Sequence, residues 1–146
     1  MRQRIVLLIA PDSQDVCLTQ QTLARASPHH IVQVICDDEE ALAYLLREGV
    51  STAPRRAPPP DVIFLDLPLP RLSGPEVVRR LKHDPRFHCV PIIVLAPAGR
   101  AEEVYQVYAA GANAYVQKPV EMTRFLDLIG QLGHFWLETV TLPPIC

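Results

Sequence analysis

Two side chains stand where this sequence could do chemistry. Asp66 closes the apolar run Val62-Ile-Phe-Leu65, and Lys118 closes Ala114-Tyr-Val-Gln117. If both runs are strands of one parallel sheet, a carboxylate and an amine meet in the crevice beyond the strands' carboxyl ends, where open α/β sheets place their sites. On residue type alone the pair makes a buried ion pair. The same crevice should take in Ala10-Pro-Asp12 and Ala96-Pro97, which follow two further apolar runs. Other chemistries lack their residues. No Gly-x-Ser-x-Gly elbow and no Walker loop occurs, and Ser73 sits where a helix cap is wanted. The cysteines Cys17, Cys36, Cys89 and Cys146 form no C-x-x-C pair, and His83, His88 and Cys89 do not have zinc-site spacing. Reduced, inert cysteines are expected.

The elements that must position Asp66 and Lys118 are legible as an alternation. Ile5-Val-Leu-Leu-Ile9 is a continuous apolar run, as in a strand buried on both faces. Residues 14–26 place Val16, Thr19, Leu23 and Ala26 on one helical face, and Pro28 ends that helix. Ile31-Val-Gln-Val-Ile35 alternates, which suits a strand near the sheet edge. Asp37 and Glu40 suggest a capped second helix with Ala41, Leu42, Leu45 and Leu46 inward and Gly49 as its stop. Residues 50–60 read as an exposed proline-rich excursion in which Arg55 and Arg56 are solvated. Ser73-Gly-Pro-Glu76 launches a helix with Val77, Val78 and Leu81 inward. Pro91-Ile-Ile-Val-Leu95 is a fourth strand, residues 100–110 form a helix stopped by Gly111, and a last helix runs from Glu121 to Trp136. Five strands alternating with five helices predict a three-layer α/β fold with right-handed crossovers.

Composition narrows the classes of function. The chain has 146 residues, 49% hydrophobic and 21% charged, the size and make-up of one globular domain. Its net charge of -2 supplies no field for nucleic acid. No apolar run approaches the ~20 residues of a membrane helix, and the N-terminus lacks a signal-peptide cleavage site. A cytoplasmic protein is expected.

The residues around the crevice resemble those of the receiver domain of two-component response regulators, over about residues 4–130. Asp66, followed by Leu-Pro-Leu-Pro-Arg-Leu-Ser-Gly, and Lys118-Pro119, preceded by Gly111-Ala-Asn-Ala-Tyr-Val-Gln117, carry the resemblance. Asp15-Val-Cys-Leu-Thr19 and Phe135-Trp-Leu-Glu-Thr-Val-Thr-Leu-Pro143 narrow it to the stand-alone, phytochrome-associated regulators of cyanobacteria and other bacteria. The resemblance implies a flavodoxin-like, doubly wound sheet of order 2-1-3-4-5. It implies Asp66 as phospho-acceptor, Lys118 as its partner, Tyr115 as the aromatic switch, and a cis Lys118–Pro119 bond that brings the amine to Asp66. It also implies a sensor histidine kinase of phytochrome type as partner.

This chain departs from that pattern where the chemistry sits. A receiver holds Mg2+ with two acidic residues after its first strand, because a hard cation wants carboxylate oxygen and neutralises charge during transfer. Those positions here are Ala10 and Pro11, and Asp12 falls one residue late. The hydroxyl that reads the phosphoryl group is replaced by Ala96. The expectation is a degenerate pseudo-receiver, not an enzyme, which has lost Mg2+, needs no cofactor and acts through protein contacts. The alternatives are a conventional receiver phosphorylated on Asp66 and a flavodoxin-like cofactor binder, for which Ala10-Pro-Asp-Ser-Gln-Asp15 is a poor phosphate loop. Residues 1–136 make the domain and residues 137–146 an extended apolar arm. Phe135, Trp136, Leu137, Val140 and Leu142 are expected to join two copies into a homodimer.

Overall fold

A computed structural model describes residues 3–11, 14–36, 43 and 60–144. The second helix expected from residue 37 and most of the proline-rich excursion lie outside the described residues, as does Asp12. In chain order the elements are β1 (Ile5–Ile9), α1 (Gln14–Ala26), β2 (Ile31–Ile35), β3 (Val62–Asp66), α2 (Gly74–His83), β4 (Ile92–Ala96), α3 (Ala101–Ala110), β5 (Ala114–Gln117) and α4 (Met122–His134), followed by a π-helical turn over Phe135–Thr139. All strand pairs are parallel and the order is β2-β1-β3-β4-β5. Four helices, against the five expected, fall among the described residues.

Because successive side chains point to opposite faces, each central strand feeds two cores. Leu7, Ile9, Ile63, Leu65, Ile92 and Val94 pack under α2 and α3 with Val77, Leu81 and Val107. Val6, Leu8, Phe64, Ile93 and Leu95 pack under α1 and α4 with Leu23, Phe125 and Ile129. This explains why β1 and β4 are buried at every position while the edge strand β2 is not. Ser73 caps α2 by accepting from Glu76 N at 3.2 Å, and Gly111 stops α3 at φ 117°, a left-handed conformation suited to glycine.

The C-terminal segment differs from the extended arm expected. After His134 the helix widens into the π turn, closed by Val140 N donating to Phe135 O at 3.0 Å. The extra residue in that turn rotates the chain so that Leu137, at 7% exposure, and Leu142, at 4%, enter the second core. The segment docks on its own domain, because burying leucines there removes apolar surface from water. Phe135 remains outside at 46% exposure and meets Trp136 edge-to-face, with ring centroids 5.5 Å apart.

Candidate functional site

Strand register builds the crevice. Asp66 pairs with Leu95 in the ladder and Ala96 with Gln117, so the ends of β3, β4 and β5 are level. Leu67 N donates to Leu95 O at 2.7 Å and Lys118 N donates to Ala96 O at 2.7 Å, carrying each ladder one residue beyond its strand. Lys118 Nζ therefore reaches both the Asp66 carboxylate, with which it is ion-paired, and Leu67 O at 2.8 Å. The two residues are brought together as expected from sequence.

The route differs from the one expected. Lys118–Pro119 is trans, and the cis bond among the described residues is Leu67–Pro68. The trans isomer is the lower-energy form of an X–Pro bond. Here the ladder bond at Lys118 N already fixes the backbone from which the amine extends, so its placement does not depend on a cis turn.

Around this pair the described residues Ala10, Pro11, Ala96 and Pro97 are apolar. Ala10 and Ala96 are buried at 1% exposure each, and Ala10 N is held by Ile35 O at 3.1 Å. Pro11 follows directly, half-buried. The side chains of Ala10 and Pro11 carry no oxygen, and that of Ala96 offers no hydroxyl. Burial pushes the Asp66 carboxyl above its ordinary range, although the Lys118 hydrogen bond and charge pull it down; the carboxylate of Asp15 adds a further upward push. Asp15 was legible in the sequence only as part of the first helix, so its electrostatic reach to Asp66 was missed. Among the described residues no group of three or more His, Cys, Asp or Glu side chains could hold a metal ion. Among the described residues, the side chains of Ala10, Pro11 and Ala96 add no hard oxygen beside Asp66, and Mg2+ wants several and gives up its water reluctantly.

Tyr115 is tied by partners that sequence reading did not find. Its hydroxyl donates to Glu103 Oε1, in the first turn of α3, at 2.8 Å, and its N–H donates to the Tyr108 hydroxyl at 3.1 Å. A Cβ on Gly99 would stand 2.2 Å from the Tyr115 hydroxyl oxygen, so the ring lies where only glycine leaves room. A glycine just before a helix opening in Ala-Glu-Glu is the signal that could have pointed to this. Burial first, and then the hydrogen bond to Glu103, push the Tyr115 phenol up to about 12.

A parallel five-stranded α/β domain with an acidic side chain and a lysine paired at its carboxyl edge is a receiver. Residues 7–130 match the response regulator receiver domain family, and the chain belongs to it. Response regulator Rcp1 from Synechocystis is 30% identical over 140 residues, covering 96% of this chain and 93% of that protein. Among solved structures, the phosphorylated cyanobacterial phytochrome response regulator RcpA superposes with a TM-score of 0.87 at 32% identity, over 97% of this chain and 99% of that one. The Mn(2+)-bound form of Rcp1 gives 0.85 at 30% identity, over 96% and 99%. The chain is thus a receiver of two-component signalling related to the phytochrome response regulators.

Proposed function

We propose that this protein is a single-domain pseudo-receiver that acts by phosphorylation-independent contacts with its partners. The observation that carries this reading is the donor set of the crevice. Asp66 is ion-paired to Lys118. Ala96 ends the neighbouring strand where the family resemblance places a hydroxyl, and Ala10 and Pro11 occupy the acidic-pair positions that it assigns. Phosphoryl transfer needs a cation bridging acceptor and phosphoryl oxygens, and here Lys118 alone would have to neutralise that charge. Loss of Mg2+ binding is part of the same reading, with no resident cofactor and no catalytic residue. The test is incubation with acetyl phosphate and Mg2+, read as intact mass. We expect no added phosphoryl group; a stable gain that vanishes in Asp66→Asn would establish a conventional receiver instead.

The partner is a sensor histidine kinase, of phytochrome type by the likeness to phytochrome regulators. A cytoplasmic location is in keeping with the absence, among the described residues, of any helix long and apolar enough to cross a membrane. The net charge of -2 favours a protein partner over nucleic acid. Residues 1–136 are assigned to the receiver and 137–146 to the tail. We also assign a homodimer contact to this end of the molecule. Its centre moves to the exposed Phe135, with the half-buried Trp136 and Val140 beside it, because Leu137 and Leu142 are fully taken up in the chain's own core. Light scattering of Phe135→Asp should then show a monomer where the unchanged protein is a dimer.

A further inference from the structure

Beside Asp66, on the α2–α3 side of the sheet, lies a cleft of about 740 Å³ that the family's chemistry does not use. Leu67, Leu69 and Leu72 form one wall, while Ala96, Pro97 and Ala98 form the other. Ala96 stands at the hydroxyl position of a working receiver, so the wall next to the phosphoryl site is hydrocarbon where a polar group would be expected. The volume lies within the range of small-molecule sites, roughly 300–1,000 Å³, and such sites combine apolar walls with a few polar groups that fix orientation.

The polar groups here are unequal. Arg79, from α2, and Arg100, just before α3, both line the cleft. Among the described residues neither guanidinium has a hydrogen-bond or ion-pair partner. The carboxylates that also line the cleft are engaged elsewhere: Glu103 accepts from the Tyr115 hydroxyl at 2.8 Å, and Glu102 accepts from Gln106 Nε2 at 3.4 Å. Both of those donors are neutral, so Glu102 and Glu103 keep their charge and balance the two arginines. What is left unmade in the cleft is the set of guanidinium N–H donors, and guanidinium groups bind carboxylates through paired N–H donors.

We infer that this cleft is a binding site for a small apolar carboxylate, whose hydrocarbon body lies on the leucine and Ala96–Ala98 walls while Arg79 and Arg100 take its anionic end. The site goes beyond the pseudo-receiver reading and does not depend on it, because binding is read directly and phosphorylation separately. A ligand there would touch Leu67, which follows Asp66 in the chain, and Ala96, which pairs with Gln117 across the ladder, and so would act on the same strand ends as a phosphoryl group.

The experiment uses the full chain, 15N-labelled, titrated with 4-phenylbutyrate and with the neutral 4-phenylbutanamide, followed by amide shifts. The expected result is saturable movement of the Gly74, Ala98 and Gly99 amides with the carboxylate, and at least tenfold weaker binding of the amide. Arg79→Gln with Arg100→Gln should weaken the carboxylate about tenfold. Ala98→Phe, at an exposed position, should abolish binding while leaving the thermal midpoint in place. Equal affinity for acid and amide, shifts confined to the groove between α1 and α4, or no saturation at millimolar concentration would each overturn the site. An acidic leucine-rich peptide that moves these amides while 4-phenylbutyrate does not would overturn it too, in favour of a protein segment.

Discussion

The two ends of the sheet hold carboxylates of opposite character. At the carboxyl ends of the strands, burial pushes Asp66 up and the Lys118 amine only partly offsets it. At the amino ends, the Ser27 hydroxyl does most to hold Glu138 below its ordinary range; burial pushes it up, and the charges of His30, His29 and His134 draw it further down. The surroundings explain the contrast. Near Glu138, Ser27 Oγ donates at 2.5 Å and His30 Nε2 lies 3.5 Å away, while His30 Nδ1 accepts from Arg4 N at 2.8 Å. Beside it Asp61 accepts from Ile5 N at 2.8 Å and from Arg4 Nη1 at 3.4 Å, closing the start of β1. The amino end thus spends its polar groups on holding strand ends and the C-terminal turn together. At the carboxyl end a charge sits in a largely buried place, and among the described residues Lys118 is its ion-pair partner. A polar residue supplied with donors serves the fold; one held at a cost of burial marks a site.

The largest effect that could break this contrast concerns the C-terminal turn. Leu137→Ala should cost about 3 kcal/mol in urea denaturation, as buried leucine truncations do, whereas Phe135→Ala should leave stability nearly unchanged. A cost below about 1 kcal/mol for Leu137→Ala would mean that the turn is not part of the second core. Next comes Asp61→Ala, which strands the Ile5 N–H and should cost about 2 kcal/mol. Asp66→Asn should cost less than that, since it removes a carboxylate whose ionisation burial disfavours. The reverse order would place the structural keystone at the crevice.

The pH dependence sharpens the comparison, because the two ends should titrate with opposite sign. Asp66 is raised in the folded state, so its contribution is fully present below the unfolded carboxyl pKa, near 4, and is lost as pH rises through the folded value. Glu138 is lowered, so its contribution is present above the unfolded value and is lost as pH falls through the folded one. Urea midpoints between pH 3.5 and 7 should therefore show the unchanged protein gaining on Asp66→Asn as pH falls and losing its advantage over Glu138→Gln. Parallel profiles would contradict the assignment.

Much of this was legible in the sequence. Continuous apolar runs announced β1, β3 and β4, since only strands covered on both faces read that way, and Ser73 with Pro75 and Gly111 marked helix ends through their own backbone chemistry. Asp66 and Lys118 were legible because strand ends in a parallel sheet converge. The C-terminal turn was not. Helical spacing carries Phe135 on the same face as Leu128 and Leu132, and nothing in that periodicity reveals that the helix widens at residue 135 to send Leu137 inward. Nor could spacing show that Asp15 acts on Asp66, or that His30 joins Arg4 to the Glu138 turn. These are contacts between segments far apart in sequence, set by packing and not by local pattern.

The smallest effect tests whether Tyr115 belongs to the crevice or to the fold. Its hydroxyl is committed to Glu103, and the ring rests over Gly99, away from any hydroxyl at Ala96. Tyr115→Phe keeps the ring and removes one hydrogen bond at a partly exposed site, so it should cost about 0.5 kcal/mol at neutral pH. Because the phenol is pushed up to about 12, the difference between the two proteins should persist up to the ordinary tyrosine pKa near 10 and be lost as pH rises from there through about 12. Gly99→Ala should displace the ring and remove the same bond without touching the phenol itself. If Tyr115→Phe and Gly99→Ala perturb the amides of Glu103 and Val104 alike while Asp66 and Lys118 stay still, Tyr115 is held by α3 independently of the crevice. If instead either change shifts Lys118, the two are coupled, and the aromatic still reads the state of Asp66.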